Sequence, residues 1–413
     1  MNRRKVTFLT TEGRVTYSRY CLTPTTEEHR KALRESTGSA YVFPLDEHLG
    51  LDRLPFRITC SMALRLAKIS ASSQSYEAAR AEVLEYLGVE VSCGTLRRVT
   101  NHIGNIVLAH DLAEAAAAAS AHDPSAMRAG RVRGRIPRDA LDVYLMMDGA
   151  MFNSVDRSRG KGSGAWRESK LAVAFRSDDL VVTKGADGKE VCRIGRREYV
   201  SSVDGVETFR RLVLALAQRN GLADAHNVVI VGDGARWIRN TRDELFPSAV
   251  LILDLYHLKE RVGEFARFLF PNDSAAASAW AREKGAMLEE GRWREFLRLD
   301  EVAPYARRDT PEGVVNIYRY VHDNRDAIEY PTYRRRGYFV GSGAIESANK
   351  TVTERRLKQA GMRWRADLAG GMLALRCKLM SGLWDSDVAP LVREKYPGSV
   401  YDDGRDSKAS KGD

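Results

Sequence analysis

Residues 142–150, DVYLMMDGA, and residues 227–235, NVVIVGDGA, share one pattern: an apolar run that leads into Asp-Gly-Ala. The residues before each aspartate, 144–147 and 228–231, are nearly all apolar, as buried central strands require. Ligand sites in open α/β sheets lie at the carboxyl ends of strands. We therefore predict two buried strands, each ending in an aspartate, which bring Asp148 and Asp233 to one edge of a sheet.

Further strand and helix patterns surround this pair. The segments ESKLAVAFRS (168–177) and EVCRIGRREYV (190–200) predict a second and a third strand, and VETFRRLVLALAQRNG (206–221) predicts an amphipathic helix with a glycine stop. SAVLILDLYHL (248–258) predicts a last strand that also ends in an aspartate, Asp254. Three strands, a helix and two more strands are the order of an RNase H-like sheet. We therefore predict a mixed α/β fold of that class with flanking helices.

The rest of the chain divides by periodicity and composition. The stretch 259–330 has helical periodicity and almost no strand pattern, which predicts a helical insertion. The predicted domains are an N-terminal segment of unclear role (1–55), a helical, helix-turn-helix-like domain (56–125), a basic linker (126–140), the first part of the α/β core (141–258), the helical insertion (259–330), the rest of the core with Glu346 (331–395) and a polar tail (396–413).

Two amphipathic patterns separated by a short turn predict the helix-turn-helix. SYEAARAEVLEYLG (75–88) ends at Gly88, and TLRRVTNHIGNIV (95–107) follows, with Ser92 as a plausible cap. The outward positions of the second helix carry residue types that can meet phosphates or base edges. They are Arg97, Arg98, Asn101 and His102. The alternative is a plain helical hairpin, which is the commoner arrangement.

Positive charge is concentrated near the C-terminus. The chain carries a formal charge of +10, and residues 334–365 contain nine basic residues against two acids. Such a cluster is either a solvated face or a phosphate-binding surface. The residues of this stretch that we predict to contact DNA are Lys350, Arg355, Arg356, Lys358, Arg363, Trp364 and Arg365.

Bulk properties exclude several classes of protein. With 413 residues and 44% hydrophobic residues, the chain is of ordinary globular composition and favours more than one domain. No apolar run approaches the roughly 20 residues of a membrane span. The five cysteines lie far apart and form neither a CxxC zinc pattern nor a disulfide scaffold. We expect a cytoplasmic protein without a membrane partner.

The acidic residues have a specific chemical use if they meet. Two neighbouring strand-end aspartates repel one another unless a divalent cation neutralises them, and Mg²⁺ is the hard, oxygen-seeking candidate. Glu346, within the first turn after GSGAI, would complete the site. Two ions about 3.5–4 Å apart can support in-line phosphoryl displacement. The alternative for a lone strand-end aspartate is a turn or cap residue.

Several segments resemble one known family. GDGARWI, DLYHL and GSGAIESANK followed by RRLKQAGMRW are similar to bacterial insertion-sequence transposases of the DDE type. That group carries the C-terminal signature GSGxxExxxK…RxKQxGMxW and is distantly related to Mutator-like transposases. The resemblance runs from about Pro44 to Trp364. It implies a catalytic and metal-binding triad at Asp148, Asp233 and Glu346, with Asp254 and His257 as accessory residues of a D-x-x-H element.

The same resemblance implies a function. Such an enzyme uses Mg²⁺ or Mn²⁺, as two ions, to cut DNA at the ends of its element and to join the freed 3′-hydroxyl to target DNA. Its partner is double-stranded DNA, both terminal inverted repeats and target, and it acts as a homo-oligomer on nucleoid DNA in the bacterial cytoplasm. Many relatives carry paired cysteines before the PLD segment, and this chain does not. The role of residues 1–55 is therefore open.

Two other functions fit the same residues. One is a catalytically silent DNA-binding protein derived from a transposase. The other is an RNase H-like nuclease that hydrolyses DNA without strand transfer. The presence of all three acids argues against the first, and only analysis of reaction products separates the second.

Overall fold

The computed structural model describes residues 2–37, 39–49, 51, 55–124, 141–155, 164–184 and 190–396. The predicted basic linker, 126–140, and residues 397–413 of the predicted tail lie outside these residues. None of the helices in the described part of the chain has both the length and the apolar character needed to cross a membrane.

The regular elements of the described residues are nine strands, sixteen α-helices and a few short helical turns. The strands are β1 (Asn2–Thr10), β2 (Gly13–Cys21), β3 (Asp142–Val155), β4 (Gly164–Arg176), β5 (Leu180–Lys184), β6 (Glu190–Ile194), β7 (Glu198–Ser202), β8 (Asn227–Gly232) and β9 (Val250–Leu253). The helices are α1 (Glu27–Thr37), α2 (Pro44–His48), α3 (Cys60–Ser72), α4 (Tyr76–Leu87), α5 (Cys93–Ala121), α6 (Val206–Arg219), α7 (Arg236–Leu245), α8 (Leu255–Leu269), α9 (Ser274–Glu289), α10 (Trp293–Phe296), α11 (Ile317–Asp323), α12 (Tyr330–Arg335), α13 (Gly343–Ala348), α14 (Arg355–Leu357), α15 (Ala366–Met380) and α16 (Ala389–Lys395). Short 3₁₀ turns lie at Ser177–Asp179, Ala303–Ala306 and Arg325–Ala327, and π-helical turns at Asn349–Glu354 and Trp384–Val388.

A five-stranded mixed sheet forms the central layer of the unit that spans Asp111–Arg365. Its strand order is β7-β4-β3-β8-β9. The β3–β4 and β4–β7 pairs are antiparallel, whereas β3–β8 and β8–β9 are parallel. Helix α6 packs on β4 and β7, and α13 packs on β3 and β4. The predicted mixed α/β fold is confirmed, and the sheet is compatible with an RNase H-like fold.

The buried strands explain the apolar runs of the sequence. Residues 143–147 of β3 are all at most 2% exposed, so neither face of this strand meets solvent. All six residues of β8 are buried as well. A strand covered on both faces cannot alternate apolar with polar residues, which is why VYLMM (143–147) and VVIV (228–231) are continuous apolar runs.

One predicted strand is wrong in its extent. The segment EVCRIGRREYV (190–200) is divided between β6 and β7, which belong to different sheets. Strand β6 pairs with β5 in a separate hairpin, whereas β7 pairs with β4 in the central sheet. The polar sequence Gly195-Arg196-Arg197 separates them, and the Gly195 N–H donates to the Asp179 carbonyl (2.8 Å).

The second unit contains Met1–His110 together with Ala366–Asp413. Strands β1 and β2 form an antiparallel hairpin within the segment 1–55. The predicted helix-turn-helix corresponds to α4 and α5. Ser75 caps α4 by accepting the Ala78 N–H (3.1 Å), and Gly88 ends it with a φ of 63°.

This unit also includes α15, which differs from the predicted division, in which 331–395 closes the α/β core. The physical reason is that α15 packs against α3. Its glycines also come close to α5: a Cβ added at Gly104 would lie 2.7 Å from the Gly371 carbonyl oxygen. Two helices approach this closely only where neither carries a side chain at the contact.

We predict that Gly104→Ala destabilises the protein by about 1–3 kcal/mol, because the new methyl group meets backbone atoms of α15 that cannot rotate away. The matched control is Gly94→Ala on the same helix, where the nearest atom is Ser92 Oγ at 3.7 Å. That change should be neutral or stabilising by up to about 1 kcal/mol. Urea unfolding followed by far-ultraviolet circular dichroism compares the two. Equal stability of both variants would contradict the close packing of α5 on α15.

Candidate carboxylate site

Asp148 lies inside a strand and not at its end, which corrects the sequence-based prediction. Strand β3 continues through Asp148 to Val155, paired throughout with β4. Its parallel pairing with β8 stops earlier, at Met146 opposite Val231. Asp148 therefore lies just beyond the parallel-paired part of the sheet, at the edge where the site was predicted. Gly149 leaves room for the Glu168 side chain, since a Cβ at this position would overlap the Glu168 carboxylate.

Asp233 follows the end of β8 and forms a turn. Its Oδ1 accepts the Ala235 N–H (2.9 Å), and Gly234 has a φ of +84°, a conformation that favours glycine. The Tyr320 hydroxyl donates to the Asp233 carbonyl oxygen (2.7 Å). The two Asp-Gly-Ala triplets thus have different local structures although their sequences are the same.

The two aspartates act on one another electrostatically. Burial raises the pKa of Asp148, and the nearby negative charge of Asp233 raises this pKa further. Hydrogen bonds from the Gly149 N–H and from Asn349 lower the Asp148 pKa, as does the charge of His257. Asp148, on β3, and Asp233, just after β8, thus follow the parallel-paired parts of two neighbouring strands, and the charge of one acts on the other.

Asn349 belongs to this site and was missed from the sequence. Its Nδ2 donates to Asp148 Oδ2 (2.6 Å), while the Gly149 N–H donates to Asp148 Oδ1 (2.7 Å). The Asn349 side chain is 6% exposed, and its Oδ1 is buried with no hydrogen-bond partner among the described residues. Asn349 follows Glu346 by three residues, a spacing that places two side chains on one helix face. This three-residue spacing from Glu346 is the feature of the sequence from which Asn349 could have been predicted.

Glu346 lies on α13, the helix that packs on β3 and β4. Its side chain is exposed, and its Oε1 accepts the Ser342 hydroxyl (3.3 Å). Within the described residues, the carboxylate oxygens of Asp148, Asp233 and Glu346 do not all lie within 4.8 Å of one another. Glu346 thus lies about one helical turn before Asn349, and its carboxylate does not form a compact cluster with those of Asp148 and Asp233 in the described structure.

Asp254 has a structural role in this arrangement. It is 1% exposed and caps α8: its Oδ1 accepts the His257 N–H (2.7 Å), and its Oδ2 accepts the Ser342 N–H. The Leu255 N–H also donates to the Val340 carbonyl oxygen (2.9 Å). Asp254 therefore connects the end of β9 to the start of α13 through its hydrogen bond with Ser342. His257 is half-buried, with Nδ1 3.5 Å from Glu260 Oε2, and its charge acts on Asp148.

Two of the predicted DNA contacts are wrong. Arg356 is 1% exposed and Trp364 is 7% exposed, with the guanidinium 5.0 Å from the centre of the indole ring. Trp364 is held at β3, because its N–H donates to the Asn153 carbonyl (2.9 Å) and its carbonyl accepts the Val155 N–H (2.8 Å). The other cations predicted to contact DNA in this stretch are exposed: Lys350, Arg355, Lys358, Arg363 and Arg365.

On α5, Arg97 and Arg98 are exposed as predicted, and Asn101 is half-buried. His102 does not point outward. Its Nε2 shares a hydrogen bond with the Tyr396 hydroxyl, and the edge of its ring contacts Phe56 at 5.4 Å between ring centres. Burial lowers the His102 pKa, and the charge of Lys395 lowers it further. His102 is therefore a packing residue of its unit.

Part of the sequence that forms this site matches a known protein family. Residues 180–277 match a family described as "Uncharacterised protein family (UPF0236)". The matched segment contains Asp233, Asp254 and His257, whereas Asp148 and Glu346 lie outside it. No curated protein matches the chain. The chain is thus similar, over this segment, to a family of uncharacterised proteins.

Proposed function

We propose that this protein is a DNA transposase of the DDE type, which binds element ends and catalyses metal-dependent cleavage and strand transfer. The observation that carries the proposal is the pair Asp148 and Asp233. Asp148, on β3, and Asp233, just after β8, follow the parallel-paired parts of these two neighbouring strands, at the edge of the sheet where α/β folds place their ligands. The sequence resemblance assigns the same two residues to the catalytic triad.

The donor set fits a divalent cation. Asp148 is partly buried, and the negative charge of Asp233 raises its pKa. A positive ion bound between the two carboxylates would offset both the burial and the repulsion. The buried Asn349 Oδ1, which has no partner among the described residues, is a further hard oxygen nearby. Asp148 and Asp233 would hold Mg²⁺ or Mn²⁺, with Glu346 as the third ligand by resemblance.

When bound, such an ion, or a pair of them, would activate the attacking oxygen and stabilise the leaving oxygen of a phosphodiester. The residues of the chain hold the carboxylates in place. The Gly149 N–H and Asn349 fix both oxygens of Asp148, while the turn at Ala235 fixes Asp233. A site whose groups are already oriented spends little free energy on reorganisation during the reaction.

The substrate class follows from charge. The formal charge of +10 and the five exposed cations between Lys350 and Arg365 favour a polyanion. Lys358 is partly neutralised by Glu354 (3.0 Å), so Lys350 and Arg355 carry much of this attraction. We propose double-stranded DNA in the bacterial cytoplasm as the partner. A homo-oligomer is expected, since two element ends must be brought together.

Asp148→Asn should abolish Mg²⁺-dependent nicking of duplex DNA while leaving DNA affinity within about twofold, because it removes a metal ligand and no phosphate-binding cation. Nicking of supercoiled plasmid and fluorescence anisotropy measure the two properties. Asp300→Asn, at an exposed aspartate of the same unit, is the matched control and should keep both.

Three outcomes of this experiment would change the proposal. Unchanged nicking by Asp148→Asn would exclude this residue from the reaction. DNA binding without nicking by the wild-type protein would favour the silent DNA-binding alternative. Nicking without joined products, in an assay with labelled element ends and target plasmid, would favour a nuclease.

Asn349→Ala should slow nicking by about 10–100-fold and raise the Mg²⁺ concentration needed for half-maximal rate, because Asp148 loses the donor that orients it. The control is Thr351→Ala, at an exposed position of the same π-helical turn. A purely structural role for Asn349 would lower the rate and leave the Mg²⁺ dependence unchanged. That result would exclude a role of Asn349 in metal binding.

A further inference from the structure

An open cleft of about 480 Å³ lies in the unit that contains the β1–β2 hairpin. Its lining comes from three segments that are distant in sequence: the hairpin, residues 55–58, and the turn that leads into α5 together with the first turns of that helix. Each segment contributes one arginine to the lining, namely Arg14, Arg57 and Arg98. Ser92, the residue before α5, also lines this hairpin cleft.

Hydrogen bonds hold the three segments together. The Leu9 N–H donates to the Arg57 carbonyl (2.9 Å), and the Thr59 N–H donates to the Leu9 carbonyl (2.9 Å). Arg14 Nη2 donates to the Glu90 carbonyl, just before α5 (3.0 Å). These hydrogen bonds hold the walls of the hairpin cleft in place, and the β1–β2 hairpin forms one of those walls.

The charges in the hairpin cleft are not balanced by protein. Arg57 and Arg98 have side chains that make no hydrogen bond or ion pair with a described residue, and Arg14 donates to a neutral carbonyl. No acid is among the described residues that line the cleft. Arg19 of the same hairpin is different, since it pairs with Asp46 and stacks on Phe43. The three lining arginines are therefore available to an anion from outside.

The beginning of α5 adds to this attraction. The first N–H groups of a helix have no partner within the helix, and the helix dipole makes this end positive. Ser92 Oγ accepts the Thr95 N–H (3.1 Å) and leaves the other early N–H groups of the turn without a side-chain cap in the described structure. The helix end strengthens the attraction of the three arginines for an anion.

We propose that the hairpin cleft binds the sugar-phosphate backbone of duplex DNA, which gives the β1–β2 hairpin a direct role in DNA binding. This inference deepens the proposed function and rests on its DNA partner. An extended polyanion suits the site because the cleft is open and its three cations come from separate segments of the chain. Arg98 lies one turn into α5 beside Arg97, so the same DNA would pass along the outward face of that helix.

The test uses the full-length chain and a duplex of random sequence, since phosphate contacts do not read bases. Fluorescence anisotropy at several salt concentrations gives the slope of log affinity against log salt. Arg14→Ala together with Arg57→Ala should flatten that slope by about 0.9 for each arginine. Replacing both residues by lysine keeps the charges and should keep the slope. Arg30→Ala, at an arginine of the same unit already paired with Glu27 (3.1 Å), is the matched control and should leave the slope unchanged.

The outcomes separate this inference from the proposed chemistry. Wild-type slope and affinity in the double alanine variant would overturn the DNA-binding role of the hairpin cleft, even if the protein nicks DNA. The expected loss of slope in a protein that never nicks would support the cleft and overturn the proposed cleavage. If the variant instead loses affinity for duplex RNA or single strands and keeps it for duplex DNA, the assigned partner is wrong. Circular dichroism of the lysine and alanine variants confirms that each is folded.

Discussion

Burial of the Asp148 carboxylate beside the negative charge of Asp233 is the constraint on which the rest of the site depends. Burial raises the pKa of Asp148, and the nearby charge of Asp233 raises it further, so the charged form of Asp148 costs free energy. A fold keeps such a pair only if other groups hold the side chains in place. Here the Gly149 N–H and Asn349 hold Asp148, and the Asp-Gly-Ala turn holds Asp233.

The connection from the sheet to the helix of Glu346 runs through hydrogen bonds. Asp254, at the end of β9, accepts the Ser342 N–H, and Ser342 directly precedes α13. The same chain segment then continues to Asn349, which donates to Asp148. The end of β9, the start of α13 and the middle of β3 are thus linked in one network. Asp254 is thereby connected to Asp148 through Ser342, α13 and Asn349.

The central part of the fold could be predicted because it depends on local sequence patterns. Continuous apolar runs identify β3 and β8 as strands buried on both faces, and their aspartates as residues at the edge of the sheet. The extent of β3 could not be predicted, because Asp148 continues the strand through pairing with β4, a contact distant in sequence. The identical triplet at Asp233 makes a turn, after the pairing of β8 with β3 and β9 has ended at Val231 and Gly232.

Other features depended on contacts that no local pattern encodes. Trp364 and Arg356 lie in a strongly basic stretch, yet both are buried, because Trp364 bonds to the backbone of β3. Helix α15 follows the signature of the predicted core but packs on α3 of the other unit. Asn349 has no distinguishing pattern except its spacing from Glu346. In each case a tertiary contact, and not the composition of the segment, decided the outcome.

Mn²⁺ binding is the most direct test of the claim that the aspartate pair is a metal site. Electron paramagnetic resonance of Mn²⁺ titrated into the protein counts bound ions without requiring DNA or turnover. The wild-type protein should bind Mn²⁺, and the double variant Asp148→Asn with Asp233→Asn should lose that binding while remaining folded. Equal binding by both proteins, or no binding by the wild type in the presence of DNA, would contradict a metal site at this pair.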